Sequence, residues 1–341
     1  MHTITLPIMM QVIKHVAIDQ REPVMFWGQP GAGKTEGVIK AAKDVGAAVC
    51  DVRLGQYESV DLRGIPVPDE ERNQTVWYAP ITLPFKGNPI FAHEDPIFLF
   101  LDEFNQCHPS VFGVAMQLIN ERRVGEHVLM DNVVVIAAGN RDGDRGVTNR
   151  MPTTVANRLT HYEIGIEVDA WCHWAQEAGL PPVGIAFMQF RKPLLSTFDP
   201  AKPDKAFATP RTWEKALRYF ASTMPEDVKQ ASMAGAVGDG PAAEFWGFVD
   251  VWSKMIPMSK IEADPMGVPL PEEAAMRYAV AVAVSGTMTP ENIKPFSMFL
   301  KRMDPEFGVM AWQLAIKRDT NLIGTMEFVG FSKDYRAIFA R

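Results

Sequence analysis

The chain has 341 residues, of which 47% are hydrophobic and 22% are charged, and this composition excludes a disordered, collagen-like or coiled-coil protein. Lysine and arginine number 34 and aspartate and glutamate 41, so the formal net charge is −7. That balance disfavours general nucleic-acid binding, although a local basic patch stays compatible with it. Three widely spaced cysteines, Cys50, Cys107 and Cys172, predict a reducing, cytoplasmic location.

The first residues predict a helix that belongs to the folded protein. Residues 1–18 mix polar side chains such as Gln11 and Lys14 with apolar ones, which indicates an amphipathic helix and not a signal peptide. No apolar run in the chain approaches the roughly 18 residues that a membrane-spanning helix needs, so we predict no membrane span.

Short apolar strands alternate with helical patterns from residue 23 to about residue 166. Strands are predicted at 24–27, 47–52, 97–101, 133–138 and 162–166, and helices at 35–45 and 109–122. This alternation is typical of an α/β fold in which helices cover both faces of a parallel sheet.

The pattern becomes helical beyond residue 168. Helices are predicted at 212–224, 242–255, 272–284 and 305–318, separated by segments rich in Pro, Gly and Asp at 198–210, 238–241 and 256–271. We therefore predict an α/β domain over residues 1–168, a helical lid domain over 169–255 and a helical C-terminal extension over 256–341.

The most specific motif follows the first of the central strands. It fits G-x-x-x-x-G-K-[ST] and consists of Gly28, Gln29, Pro30, Gly31, Ala32, Gly33, Lys34 and Thr35. Its glycines let backbone N–H groups surround phosphate oxygens at a helix N-terminus. We expect Lys34 to reach the β and γ phosphates and Thr35 to offer a hydroxyl to Mg²⁺. The motif predicts a nucleoside triphosphate with Mg²⁺ and does not distinguish ATP from GTP.

Two acids end the strand at 97–101. Asp102 is expected to hold the Mg²⁺, and Glu103 can polarise the water that attacks the γ phosphate, which favours hydrolysis. Taken alone, the pair could also be solvated or cap the next helix, but its place after the phosphate motif favours the magnesium and water roles.

An asparagine follows the strand at 133–138. Asn140 could hydrogen-bond both the attacking water and the γ phosphate, as a sensor residue would. An Asn after Gly at a strand end is also a common turn residue, so this alternative stays open.

With these three strand ends in order, the chain resembles the AAA+ ATPases, and within them the MoxR group that includes the CbbQ, NorQ and GvpN proteins. The resemblance is carried by Asp102-Glu103-Phe104-Asn105-Gln106, by Pro109 with the segment 118–124, and by residues 56–91, which resemble an insertion in helix 2. It implies a P-loop AAA+ sheet followed by a helical lid.

The same resemblance gives roles to two arginines. The segment from Met151-Pro152 to Asn157-Arg158-Leu159 is similar to the family's finger segment, so Arg158 is expected to reach the neighbouring subunit's nucleotide, with Arg150 as the other candidate. Thr209-Pro210-Arg211 resembles the start of a lid helix, which makes Arg211 the second sensor. Without the motifs, either arginine would be expected in a surface ion pair.

The resemblance implies a homo-oligomeric ring, expected to contain six copies, because a finger donated to a neighbour needs a head-to-tail interface. It also implies a chaperone-like remodeller that activates a protein partner, for example one with a von Willebrand-type domain. Aromatic residues of the insertion could contact that partner or pack their own hairpin: Tyr57, Trp77 and Tyr78.

Two other functions fit the same scaffold. One is a nucleic-acid motor or loader, in which a strand would follow Arg72, Lys86, Arg122 and Arg123, although a solvated face explains these cations better. The other is a scaffold that binds ATP and hardly hydrolyses it.

Overall fold

The structure is a computed structural model that describes residues 1–141, 143–144, 149, 151–202 and 204–336. In this part of the chain, six parallel strands form one sheet in the order β1-β10-β2-β9-β6-β3. Two antiparallel hairpins, β4–β5 and β7–β8, accompany it. The strands are β1 (Thr3–Ile4), β2 (Val24–Trp27), β3 (Ala48–Arg53), β4 (Ile65–Asp69), β5 (Gln74–Tyr78), β6 (Ile97–Asp102), β7 (Arg123–Val124), β8 (His127–Val128), β9 (Val133–Gly139) and β10 (Thr160–Ile164).

Helices cover both faces of this sheet. Val38 of the second helix belongs to the same hydrophobic cluster as Phe26 of β2, and Leu118 of the fourth helix belongs to a second cluster with Met25 of the same strand. The parallel α/β fold and the helical region after it are therefore confirmed. The helices are α1 (Leu6–Val12), α2 (Lys34–Val45), α3 (Ser59–Arg63), α4 (Pro109–Asn120), α5 (Thr153–Ala156), α6 (Val168–Glu177), α7 (Pro182–Phe190), α8 (Pro210–Ala221), α9 (Glu226–Val237), α10 (Asp239–Ser253), α11 (Met258–Ala263), α12 (Ala274–Thr287), α13 (Ile293–Leu300), α14 (Pro305–Arg318) and α15 (Met326–Asp334).

The central strands end at one common edge. Every residue of β2, β6 and β9 is buried, as expected for strands covered on both faces. Trp27 pairs with Gly139, and Leu101 pairs with Ala137. The residues that follow β2, β6 and β9 are thus brought to the same carboxyl edge of the sheet, where α/β proteins bind ligands.

The beginning of the chain differs from the helix predicted over residues 1–18. Thr3–Ile4 forms the edge strand β1 beside β10, α1 begins only at Leu6, and a π-helical turn continues it over Ile13–Ile18. A strand of two residues is too short to produce a detectable alternation, and Pro7 presets the backbone of the first helical turn. The last strand also lies two residues earlier than predicted, because Thr160 aligns with Val24 of β2.

The predicted insertion at 56–91 contains a helix, a hairpin and a turn. It holds α3, the β4–β5 hairpin and a 3₁₀ turn over Pro89–Phe91. A β-bridge between Phe85 and Leu129 joins its later part to the segment after β8, and the backbone N–H of Trp77 donates to Glu126 Oε1 at 3.2 Å. The insertion is therefore attached to the β7–β8 hairpin that precedes β9.

The chain divides into two compact units, one of residues 1–167 with 198–203 and one of residues 168–197 with 204–341. Within the described residues of the second unit, α12 packs against α7 and α10 as well as against α14. This unit thus includes both regions that the sequence assigns to a lid and to an extension. The division into a lid over 169–255 and an extension over 256–341 stays a prediction.

Aromatic side chains form much of the core of the second unit. Phe187 of α7 contacts Trp213 of α8 and Phe245 of α10, with ring centroids 5.6 and 5.4 Å away. Further along the chain, Trp312 of α14 contacts Phe331 of α15 at 5.8 Å. In the parts of the chain that the structure describes, every helix is too short or too polar to cross a bilayer.

Candidate functional site

The loop of residues 28–35 connects β2 to α2 at the carboxyl edge of the sheet. Gly31 and Gly33 have φ angles of 75° and 88°, which glycine adopts readily and other residues rarely do. Gly33 directly precedes α2, so the loop ends at a helix N-terminus whose unpaired N–H groups attract anions. The backbone of this loop has the features that a phosphate-binding loop requires.

The Lys34 side chain lies inside this loop and is only 8% exposed. Its Nζ donates to the backbone oxygens of Gly28 at 2.7 Å and Gln29 at 3.2 Å. It also donates to Asn140 Oδ1 at 3.2 Å. The structure therefore brings together the predicted phosphate lysine and the predicted sensor asparagine, which are 106 residues apart in sequence.

Thr35 and Asp102 are in direct contact. Thr35 Oγ1 donates to Asp102 Oδ2 at 2.8 Å, and the other carboxylate oxygen accepts the backbone N–H of Glu103 at 2.8 Å. A hydroxyl and a carboxylate are hard oxygen donors of the kind that Mg²⁺ prefers. Among the described residues, no group of three or more His, Cys, Asp and Glu could hold a metal ion by itself. Thr35 and Asp102 could therefore supply two oxygen ligands to such an ion.

Glu103 stands in a strained backbone conformation directly after β6. Its φ of 55° and ψ of 34° are left-handed, which costs a residue other than glycine about 1 kcal/mol. A Cβ placed on Gly55, which follows β3, would lie 2.9 Å from Glu103 Oε2, so the carboxylate reaches the end of the neighbouring strand. Strain of this kind is found preferentially at functional sites, and it fits a carboxylate that must be aimed.

Two residues of the site were assigned no role in the sequence analysis, and the first is Asn105. Its side chain is fully buried and bonded to both backbone groups of Asn140. Asn105 was noticed only as part of the acidic motif, because a bond from a side chain to a distant backbone leaves no pattern in a sequence.

The second is Arg141, which directly follows Asn140. Its guanidinium pairs with Asp144 at 3.0 Å and Glu163 at 3.3 Å, and it donates to Gln29 Oε1 in the phosphate loop at 3.4 Å. The hydrogen bond to Asp144 is the main reason that the pKa of Arg141 is raised above its ordinary value. This arginine is therefore a fixed positive charge beside the phosphate loop.

Arg158, the predicted finger, is exposed on the surface just after α5. His161 fixes this helix: its Nε2 donates to the Ala156 oxygen at 2.8 Å, and its Nδ1 accepts from Trp27 Nε1 at 2.9 Å. The structure does not bring Arg158 into the group of Lys34, Thr35 and Asp102 by any hydrogen bond, and its role as a finger stays a prediction. The other finger candidate, Arg150, lies outside the described residues.

Arg211 lies in the second unit, in the first turn of α8, and is exposed. Thr209 and Thr212 bond reciprocally at the start of this helix, so the N-terminus that presents Arg211 is well defined. Its role toward a nucleotide stays a prediction.

Comparison with known proteins gives one family match. The AAA domain (dynein-related subfamily) matches residues 23–158, while no curated protein matches the chain. The structure of NtrX from Brucella abortus in complex with ADP is similar at 12% identity and a TM-score of 0.40, over 98% of this chain and 68% of that chain. Hsp104 in its closed state with ATPγS and FITC casein is similar at 16% identity and a TM-score of 0.36, over 69% of this chain and 41% of that chain. The segment that matches the AAA domain contains the loop of residues 28–35, both acids, Asn140 and Arg158.

Proposed function

We propose that this protein is an ATPase that hydrolyses ATP to ADP and phosphate at the site formed by Lys34, Thr35, Asp102, Glu103 and Asn140. The observation that carries the proposal is the hydrogen bond of 2.8 Å between Thr35 and Asp102, beside a Lys34 bonded to Asn140. Three separate strand ends thereby supply an ammonium, a hydroxyl, a carboxylate and an amide at one place. This is the donor set that a magnesium-bound triphosphate requires.

The cation of the site would be Mg²⁺, held by Thr35 and Asp102. When bound, it supplies positive charge that stabilises the oxygens of the β and γ phosphates. Lys34 adds a second positive charge, and the N–H groups of the loop at residues 28–35 orient the phosphate chain.

Glu103 would activate the attacking water. Its carboxylate accepts a proton from the water as the new bond to the γ phosphorus forms and the bond to the β-phosphate oxygen breaks. Asn140, whose Oδ1 already accepts from Lys34, can direct its amide N–H groups toward the water or the γ phosphate. Arg158 of a neighbouring copy and Arg211 of the same copy would add charge stabilisation.

We further propose MoxR-type remodelling of a protein partner by a ring of copies, expected to be six. An exposed Arg158 supports donation to a neighbour. In the insertion, Tyr78 is 64% exposed and pairs across the hairpin with Ile65, which is 67% exposed, and together they offer an apolar surface to a partner. Tyr57 and Trp77 are less exposed, and Tyr57 packs against the core of the first unit.

Protein remodelling is favoured over the nucleic-acid alternative by the partners of the candidate cations. Arg122 donates to the backbone oxygens of Met130 and Val133, and Lys86 pairs with Asp131 at 2.9 Å. The remaining two also have partners within the chain: Arg72 pairs with Asp69, and Arg123 donates to Gly125. Cations engaged in this way fit a structural role better than a path for a phosphate backbone.

Replacing Glu103, the proposed base, is the most direct test of hydrolysis. We expect Glu103→Gln to bind ATP with nearly unchanged affinity while phosphate release falls by about 10² or more, because the amide cannot accept the proton. Phosphate release and binding of a fluorescent ATP analogue measure the two effects, with GTP run in parallel.

Glu262→Gln provides the matched control, since this glutamate is exposed in the second unit and should leave hydrolysis unchanged. If Glu103→Gln hydrolyses ATP at the normal rate, the role of Glu103 is wrong. If the unaltered protein binds ATP and releases no phosphate, the chain is a nucleotide-dependent scaffold and the proposed ATPase activity is wrong.

A further inference from the structure

We propose that Asn105 is a positioning residue for ATP hydrolysis, which holds the backbone of Asn140 so that the Asn140 side chain meets Lys34. The inference rests on the proposed ATPase function. It assigns a task to a side chain that touches neither nucleotide nor metal in that proposal.

The backbone of Asn140 needs a partner that the sheet does not provide. On one side of β9, the carbonyl oxygen of Gly139 accepts the backbone N–H of Gly28 at 3.3 Å. Gly28 directly follows β2, so the hydrogen bonds on this side of β9 go to β2 and the residue after it. On the other side, β6 ends at Asp102 and the chain turns away through a 3₁₀ turn over Phe104–Gln106. The regular ladder between β6 and β9 stops at the pair of Leu101 and Ala137.

Beyond the end of β6, the Asn105 carboxamide makes the hydrogen bonds to Asn140 that a neighbouring strand would make. Its Nδ2 donates to the Asn140 carbonyl oxygen at 2.8 Å, and its Oδ1 accepts the Asn140 N–H at 3.2 Å. A carboxamide carries one acceptor and N–H donors in the same plane, as a peptide group does, so it can satisfy both backbone groups at once. Asn140 is thereby fixed one residue beyond the end of β9.

Asn105 is itself held in place. It is fully buried, and its own backbone oxygen accepts the N–H of Asn149 at 2.6 Å. Asn149 also donates from Nδ2 to the Cys107 oxygen at 2.7 Å, which fastens the turn on its other side. A buried group with this many bonds has little freedom, and such rigidity is what a supporting residue of a catalytic site requires.

The neighbouring glycine makes room for this arrangement. A Cβ on Gly139 would lie 2.7 Å from Asn105 Oδ1 and 2.9 Å from Met25 Cε. Any side chain at position 139 would therefore push the carboxamide away from Asn140. Gly139→Ala offers a second way to disturb the same contact without changing Asn105.

The functional consequence follows from the bond between Asn140 Oδ1 and Lys34 Nζ. With the oxygen of this amide directed at the ammonium, its N–H donors are left for the γ phosphate or the attacking water. A shift of the Asn140 backbone would turn both the amide oxygen and the amide N–H donors away from these targets. We therefore expect Asn105 to affect the rate of the chemical step much more than the affinity for nucleotide.

Asn105→Asp in the 341-residue chain is the direct test, because it replaces the Nδ2 donor by an oxygen that faces the Asn140 carbonyl. We expect kcat to fall about tenfold to a hundredfold, with the dissociation constant for a non-hydrolysable ATP analogue changed less than about threefold. In an Asn140→Ala background, Asn105→Asp should change kcat by less than about threefold, since the side chain it positions is gone.

Asn88→Asp is the matched control. Asn88 is also buried, donates from Nδ2 to the oxygens of Ile81 and Leu83 at 2.7 Å each, and accepts from Ile90 N–H, all within the insertion. It should lower the thermal stability as Asn105→Asp does, while kcat stays unchanged. This comparison separates the loss of a buried amide from the loss of positioning.

The outcomes separate the positioning role of Asn105 from the proposed ATPase activity. A normal kcat in Asn105→Asp, or an equal loss with and without Asn140, overturns the positioning role and leaves the ATPase proposal intact. Should Asn105→Asp fail to fold, Gly139→Ala must lower kcat in the same way, and a normal rate in that variant also overturns the role. An unaltered protein that binds ATP without hydrolysing it overturns the ATPase proposal and this inference with it.

Discussion

The predicted site residues lie in two regions that differ in burial and in their contacts. In the interior, Lys34 and Asp102 are buried and bonded to Asn140 and Thr35, so the chain itself fixes their geometry. At the surface, Arg158 is exposed. It follows the short helix α5, and the last residue of that helix, Ala156, accepts a hydrogen bond from His161. The difference teaches that the geometry of the interior groups is fixed by contacts within one copy, whereas the finger role proposed for Arg158 depends on a second copy.

The largest effect on this comparison between the two regions is expected from removing the exposed Arg158. We expect Arg158→Ala to lower kcat by about 10³ or more, because a finger offsets charge that develops on the γ phosphate. Nucleotide affinity and thermal stability should stay close to normal, since the side chain is exposed. Phosphate release at protein concentrations that support assembly measures the loss, and Arg218→Ala in the second unit is the control.

Mixing two inactive variants decides whether Arg158 acts on a neighbour. Arg158→Ala lacks the finger and Glu103→Gln lacks the base, so mixed rings contain sites with a normal Glu103 and a normal neighbouring Arg158. Partial recovery of phosphate release is expected. No recovery, or a loss of activity in Arg150→Ala and not in Arg158→Ala, would show that Arg158 is not the finger.

A smaller loss of kcat is expected when an interior residue, Lys34, is replaced. Lys34→Ala should lower kcat by about 10² to 10³ and also weaken ATP binding, because the ammonium touches the phosphates before and during the reaction. Lys43→Ala, in the last turn of α2, is the matched control. Mixing Lys34→Ala with Glu103→Gln should restore nothing, since each site needs both residues from one copy. Recovery in this mixture would contradict a site contained in one copy.

The sequence predicted this interior region well for a physical reason. β2 and β9 are apolar throughout and β6 is apolar up to its last residue, Asp102, while Gly28 follows β2 and Asn140 follows β9. The strand ends could therefore be located to within about one residue. Parallel strands then bring Gly28, Asp102 and Asn140 to one edge without further information. The phosphate loop was found because its glycines are required by backbone geometry.

Other features could not be predicted because they depend on contacts between distant segments. β1 contains two residues and exists only because β10 offers it an edge. Asn105 and Arg141 each have an ordinary local sequence, and their roles depend on partners from other elements, such as Asn140 for one and Glu163 for the other. Helical periodicity located the helices of the second unit without indicating how they divide into domains.

Arg141 provides the smallest expected effect and tests whether the interior region extends beyond the predicted residues. Its guanidinium joins Asp144, Glu163 and Gln29 of the phosphate loop, and the Asp144 side chain is only 3% exposed. We expect Arg141→Gln to raise the KM for ATP about twofold to fivefold and to lower the free energy of unfolding by about 1 kcal/mol, because a buried carboxylate loses its partner. Adding Asp144→Asn should recover the stability, because a neutral amide does not need a cationic partner. It should not recover the KM for ATP, because Gln29 still lacks the hydrogen bond from Arg141. Thermal unfolding and steady-state kinetics separate the two effects. A double variant with both normal stability and normal KM would mean that Arg141 serves only to neutralise Asp144, and the interior region would then end at Asn140.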